Sequence, residues 1–234
     1  MMKKFNEDYF RGRGSGYKRG YEVIEKQVKT FIWPFVLKYV KPCPSMKVLD
    51  IGCAYGYLLR LFDDVGCETY GIDVSEYAIE QARRITKARL YVWDVDRGLP
   101  MFHDDFFDLV TMLHVIEHLC SPYNVLKEVH RVLRPEGKLV VSTPNLNAIA
   151  RLLLKLIGRE KEWYGFRDET HIYLFTPLSL RFLVKRCGFK VLAVEAPLMP
   201  LRKAPRIINK IVNGFNLGGT VFVIAEKRGN KCTC

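Results

Sequence analysis

Three acids stand at regular intervals in the first half of the chain, each closing a short apolar run. Asp50 lies in Lys47-Val48-Leu49-Asp50-Ile51-Gly52-Cys53-Ala54-Tyr55-Gly56, Asp73 ends Glu68-Thr69-Tyr70-Gly71-Ile72-Asp73, and Asp94 follows Arg89-Leu90-Tyr91-Val92-Trp93. A carboxylate can accept both hydroxyls of a ribose diol. Asp73 follows Asp50 by about 20 residues, the interval at which doubly wound folds place a ribose-binding acid. Gly52 and Gly56 permit a turn at positive φ, where a ligand can reach the main chain without meeting a Cβ. The spacing D-x-G-x-x-x-G excludes a dinucleotide G-x-G-x-x-G and a P-loop, because an acid precedes the first glycine and no lysine follows. The turn suits a ligand with an adenosine and a cationic end. Asp73 or Ser75 would also serve as N-cap for a helix over 76–85, and both roles are compatible. Asp94 reads equally as a turn residue in Asp94-Val95-Asp96-Arg97-Gly98; its place third in the series tips it towards a ligand.

Histidine is the side chain suited to proton transfer near neutral pH. His114, His171 and His118 are the candidates by position, taken in that order, although a lone histidine is more often structural and His118 could merely tether its loop. No set of residues has metal-ligand spacing, and Cys232-Thr233-Cys234 reads as a frayed tail sooner than as a metal site. The seven cysteines are odd in number and scattered, which favours a reducing cytoplasm over a disulfide framework.

These residues need a sheet to position them. Val48–Ile51 is a continuous apolar run too short for a helix, so it suits a buried parallel strand, and Tyr57–Phe62 returns to helical spacing. Further strands are expected at 68–73, 89–93, 106–114 and 139–143, then at 191–194 and 220–225. The first 20 residues, rich in Gly, Tyr and Arg, read as a flexible basic arm whose aromatic residues leave open a lid over the ligand. Ile24, Val28, Phe31, Phe35 and Val40 mark an amphipathic helix, kinked or divided at Pro34. Over 146–174, Ile149, Leu152, Leu153, Leu156 and Ile157 surround a narrow polar stripe of Asn147, Arg151 and Lys155. So wide an apolar face predicts burial or a substrate lid before membrane contact. Thr176 and Pro177 open the next helix as N-cap and first position.

The glycine turn resembles the first motif of class I S-adenosylmethionine-dependent methyltransferases. The likeness continues through Phe107-Asp108-Leu109-Val110, Glu117-His118-Leu119 and Pro144-Asn145, a pattern similar to ubiquinone-biosynthesis O-methyltransferases and other small-molecule enzymes. It implies an α/β fold: a Rossmann-like, doubly wound, mostly parallel seven-stranded sheet with an antiparallel last strand between the fifth and sixth, a helical N-terminal extension and a lid insertion. Residues 1–44 would then be an arm and helix covering the site, 45–228 the catalytic domain, and 229–234 a flexible tail. The implied cofactor is S-adenosyl-L-methionine, with S-adenosyl-L-homocysteine as product. Its expected binding residues are Asp50, Gly52, Cys53, Ala54, Gly56, Asp73, Val74, Asp94, Val95 and His114, with Asp94 on the adenine amino group and Val95 or Trp93 on the ring. Glu136 stands where the resembling enzymes carry glycine, a departure expected to alter only a turn.

No (N/D)-P-P-(Y/F) follows the fourth strand and no Pro-Cys nucleophile is suitably placed, so a small-molecule oxygen or nitrogen is the expected acceptor. The net charge of +12 keeps RNA methylation open, and peripheral membrane contact through the basic ends. A non-catalytic cofactor-binding scaffold is the alternative of another class. No apolar run is long enough to span a bilayer, and the expected location is cytoplasmic.

Overall fold

Val48, Leu49 and Ile51 of β1 (Lys47–Ile51) are all buried, as a strand must be when it has parallel neighbours on both sides and helices on both faces. The computed structural model describes residues 5–13, 20–197 and 216–228. Residues 14–19 of the basic arm, 198–215 of the basic Pro-rich stretch and the Cys-Thr-Cys tail lie outside the described residues. The chain then runs through α4 after three N-terminal helical pieces: α1 (Glu7–Phe10), α2 (Ile24–Gln27), α3 (Trp33–Tyr39) and α4 (Tyr57–Val65). Next come β2 (Glu68–Asp73), α5 (Glu76–Ala82), β3 (Arg89–Val92), β4 (Phe107–Leu113), α6 (Pro122–Val132) and β5 (Leu133–Pro144). The last elements are α7 (Ile149–Leu156), α8 (Tyr164–Arg167), α9 (Pro177–Arg186), β6 (Phe189–Glu195) and β7 (Thr220–Lys227).

The seven strands lie in the order β3-β2-β1-β4-β5-β7-β6, parallel except for β7, which runs antiparallel between β5 and β6. This is the expected Rossmann-like sheet. The order reverses between β1 and β4, and the carboxyl ends of those strands form the crevice where open α/β sheets bind ligands. Alternate strand residues feed two cores. Leu49, Val110 and Val223 pack with Val125, Leu126 and Val129 of α6 and Leu180 and Val184 of α9. Val48, Leu109, Phe222 and Ile224 face the other way, onto Val28, Phe35, Val36, Leu58 and Phe62.

The last contact set corrects the N-terminal expectation. The helical stretch from Ile24 to Tyr39 is a layer on the sheet, and only the arm ahead of it covers the site. Its irregularity is a π turn at Val28–Ile32 directly before α3, whose second residue is Pro34. Proline lacks an amide hydrogen and its ring crowds the preceding turn, which a widened turn relieves. A second correction concerns β5, which starts at Leu133 and not at Leu139. Its pairing with β4 shifts between Phe107 and Leu109, and Glu136 adopts the left-handed region at φ +66°.

The insertion holds the largest departure. Arg151 is turned inward on α7, as are Ile149 and Leu154 in part: its side chain is 13% exposed, ion-paired to Glu160 and donating to the Leu146 carbonyl. Leu153 and Ile157 are exposed and Leu156 is 82% exposed, so the apolar face points outward and burial is not observed. Of the polar stripe, Arg151 has partners within the insertion, whereas among the described residues nothing covers Leu156.

Candidate active site

The glycine turn is fixed by its own backbone. The Gly52 and Cys53 amides both donate to the Ile72 carbonyl, at 2.7 and 3.0 Å, tying the end of β1 to the end of β2. Gly52 sits at φ +71°, and a Cβ there would lie 2.2 Å from Val115 Cγ2, so only glycine fits. Ala54, itself left-handed at φ +46°, donates its amide to Asp73 Oδ2 at 2.9 Å, and Ser75 donates to Oδ1 at 2.8 Å. Ser75, not Asp73, caps α5, its hydroxyl accepting from the Ala78 amide at 3.2 Å. Each Asp73 oxygen retains a lone pair for a further donor. Burial pushes this carboxyl up to about 6, against the pull of the Ser75, Ala54 and Val74 amides.

A cavity opens above these strand ends. Gly52, Ala54, Asp73, Val74, Asp94, Val95 and His114 all line it, as does Trp93. Asp50, Cys53 and Gly56, expected with them, do not. Asp50 lies behind the turn and accepts from the Thr111 hydroxyl at 2.6 Å. Burial raises it to about 7, Thr111 opposing and the charge of Asp73 adding. Cys53 packs with Leu59 and Ile79, and Gly56, at φ +74°, has Thr86 and Ala82 where a side chain would stand. Both residues pack behind the turn, against α4 and α5 and the residues that follow α5. Asp94 lines the cavity and, as in the turn reading, accepts from the Asp96 amide at 3.1 Å.

His114 closes β4 at φ +56°, in the left-handed region that a non-glycine residue enters only when its surroundings hold it. Its amide donates to the Ser142 carbonyl at 3.0 Å. Nδ1 lies 3.2 Å from Oε1 of the inaccessible Glu117, and Nε2 lies 3.2 Å from the Thr220 hydroxyl. Burial works to raise the Glu117 carboxyl, but contact with His114 and the neighbouring His118 hold it below its ordinary value. His118 also lines the cavity, and burial lowers its basicity despite the charge of Glu117. His171 is not on the wall. Its Nδ1 lies 2.8 Å from the Gly165 carbonyl and its ring 4.8 Å from that of His118.

Residues 24–194 match the family model described as a methyltransferase domain. The chain belongs to this methyltransferase family. It is 31% identical over 166 residues to a ubiquinone biosynthesis O-methyltransferase of Thiobacillus denitrificans, covering 67% of this chain and 71% of that one. A relative of the same name from Coxiella burnetii is 30% identical over 169 residues, 69% of this chain and 72% of the other. In fold, the methyltransferase is similar to the crystal structure of a SAM-dependent methyltransferase from Archaeoglobus fulgidus, with a TM-score of 0.65 and 24% identity, covering 94% and 97% of the two chains.

The remaining wall of the cavity comes from the arm, whose aromatic residues had left open a lid over the ligand. Phe5, Tyr9, Phe10 and Tyr21 of the arm line the cavity, with Tyr9 and Phe10 buried. Phe10 stacks on Tyr55 and Tyr9 donates to Asp168 Oδ2 of the insertion at 3.2 Å, so arm and insertion meet over the site. The aromatic content of the arm was the available signal. Thr220, which sits against His114 from the last strand, had none.

Proposed function

We propose that the cavity binds S-adenosylmethionine and that the enzyme passes its methyl group to an oxygen or nitrogen of a small molecule. The observation that carries this reading is the convergence of Gly52, Asp73, Asp94 and His114 on one cavity from the ends of four adjacent strands. The residues fit the cofactor. Asp73 has lone pairs to accept a ribose diol, Asp94 has an oxygen for the adenine amino group, Trp93 and Val95 offer apolar surface to the ring, and Gly52 leaves its main chain bare. When bound, S-adenosylmethionine supplies an electrophilic methyl group on a sulfonium.

Transfer by in-line displacement asks the protein chiefly for alignment, and removal of a proton from the acceptor asks for a base. His114 supplies the base in this reading. With Nδ1–H turned to Glu117, Nε2 carries the lone pair, and an acceptor hydroxyl would take the place now held by Thr220. The aromatic arm and the insertion narrow the entrance, which favours a small acceptor over a folded RNA. Enclosure by these segments also excludes water from the reacting atoms.

The test is calorimetric titration of the purified protein with S-adenosylmethionine, S-adenosylhomocysteine and NAD. Tight binding of both adenosyl ligands and none of NAD is expected; absence of adenosyl binding would refute the site. Acceptors are then screened by methyl transfer at two salt concentrations. A small neutral acceptor is expected to be insensitive to salt, whereas turnover on RNA that falls steeply with salt would replace this reading with nucleic-acid methylation.

A further inference from the structure

Two cysteines meet at the end of the sheet away from the cavity. Among the described residues Cys53 and Cys187 are buried and Cys120 follows β4, whereas Cys43 is exposed ahead of β1 and Cys67 is half-buried ahead of β2. The Cys67 thiol donates to the Cys43 carbonyl at 3.4 Å.

Each cysteine is held by its own backbone. Cys43 stands between Pro42 and Pro44, and a residue before proline is restricted to extended conformations. Its carbonyl also accepts from the Met46 amide at 3.2 Å, closing a turn with Pro44 and Ser45 at its centre and Ser45 at φ +70°. On the facing side Gly66 ends α4 at φ +91°, and the Cys67 amide donates to the Phe62 carbonyl at 3.1 Å. The two turns are tied together on either side of Cys67. The Ser45 amide donates to the Gly66 carbonyl at 3.0 Å, and the Glu68 amide donates to the Met46 carbonyl at 2.8 Å. A disulfide tolerates only a narrow range of backbone separations, so two pinned turns with one thiol against the other cysteine's main chain are the setting it needs.

We infer that Cys43 and Cys67 form a dithiol site that exchanges with small disulfides of the oxidised-glutathione class and closes to an intramolecular disulfide. The exposed Cys43 thiolate attacks one glutathione sulfur, the glutathione S–S bond breaks, and one glutathione leaves as a thiolate that takes up a proton. Cys67 then gives up its proton and attacks Cys43 Sγ, which breaks the mixed disulfide and releases the second glutathione. Two protein thiols are thereby oxidised by two electrons, and one glutathione disulfide is reduced to two thiols. Burial, with charge on Cys43, Asp63 and Asp108 adding, pushes the Cys67 thiol up to about 11, so the second step is the slow one. The loop that closes runs from residue 43 to residue 67 and contains all of β1, the glycine turn and α4. Cross-linking it restricts the unfolded chain while joining segments that the folded chain already holds together.

The experiment uses the full chain carrying Cys120→Ser, Cys232→Ser and Cys234→Ser. It is incubated with increasing fractions of oxidised glutathione at pH 7 to 9, alkylated, digested and mapped by mass spectrometry. A peptide pair joined through Cys43 and Cys67 is expected, with glutathione on Cys43 as its precursor. Conversion of the precursor should accelerate about tenfold per pH unit, as the thiolate fraction of Cys67 does. In Cys67→Ser the glutathione should stay on Cys43, and in Cys43→Ser no adduct should form on Cys67. The urea midpoint of the oxidised protein should rise above that of the reduced protein and return with dithiothreitol. A mixed disulfide that never resolves onto Cys67, linkage that forms as fast in urea as in the folded protein, or an oxidised midpoint no higher than the reduced one would overturn the inference. None of these readouts involves cofactor or acceptor, so the inference stands or falls separately from the proposed function.

Discussion

Single side chains at the strand ends make separable contributions. His114 contacts Glu117 and Thr220 and lies at the rim of the cavity, while the adenosyl end is assigned to Asp73 and Asp94. His114→Ala is therefore expected to lower kcat by about 10²-fold or more with cofactor affinity unchanged, measured by turnover and calorimetry on the same preparation. Asp73 should be felt in the pH dependence of binding. Its carboxyl is raised to about 6 in the free protein, and in the proposed site it would accept two ribose hydroxyls only when ionised. Affinity for S-adenosylhomocysteine should thus rise with pH and level off above the pKa, a change of about tenfold between pH 5 and pH 7. A flat profile in calorimetry across that range would remove Asp73 from the ribose. The three strand-end acids were visible in the sequence because each follows an apolar run. Pattern alone could not separate Asp94, which faces the cavity, from Asp50, which lies behind the turn against Thr111.

At the level of elements, local backbone geometry decides where the sequence was readable. Strands with neighbours on both sides, such as β1 and β4, announce themselves as apolar runs. The start of β5 does not, because Arg134, Pro135 and Glu136 read as a turn and the ladder skips them, passing from Phe107 opposite Leu133 to Leu109 opposite Lys138. Glu136 holds φ +66° there, a conformation that costs an L-residue on the order of 1 kcal/mol. Glu136→Gly should raise stability by about 0.5–1 kcal/mol, read as a shift in urea midpoint without change in slope. Helix α7 misled for another reason. Amphipathicity identifies two faces but not which one the fold turns inward, and here Arg151 finds Glu160 and the Leu146 carbonyl while Leu156 stays in solvent. Leu156→Ser is accordingly expected to change stability by less than about 0.5 kcal/mol. Leu180→Ala, on the buried face of α9, should cost about 2–5 kcal/mol in the same urea titrations.

Across the whole molecule, the site is bounded by segments far apart in sequence: arm, four strand ends and insertion. Their junction is narrow. Tyr9 of the arm donates to Asp168 of the insertion, a bond to a charged acceptor of the kind worth about 1.5–3 kcal/mol. Tyr9→Phe should loosen the cover and speed release of S-adenosylhomocysteine by about tenfold in stopped-flow measurements, with the unfolding midpoint little changed. The position of β7 has a consequence for how the protein is made. Until residues 220–227 leave the ribosome, β5 has no partner on one side and β6 has nothing to join, so a nascent chain displays an open sheet edge. The same late strand delivers Thr220 to His114. A ribosome-bound chain stalled before Thr220 would thus carry the glycine turn and all three strand-end acids without the residue that sits against His114.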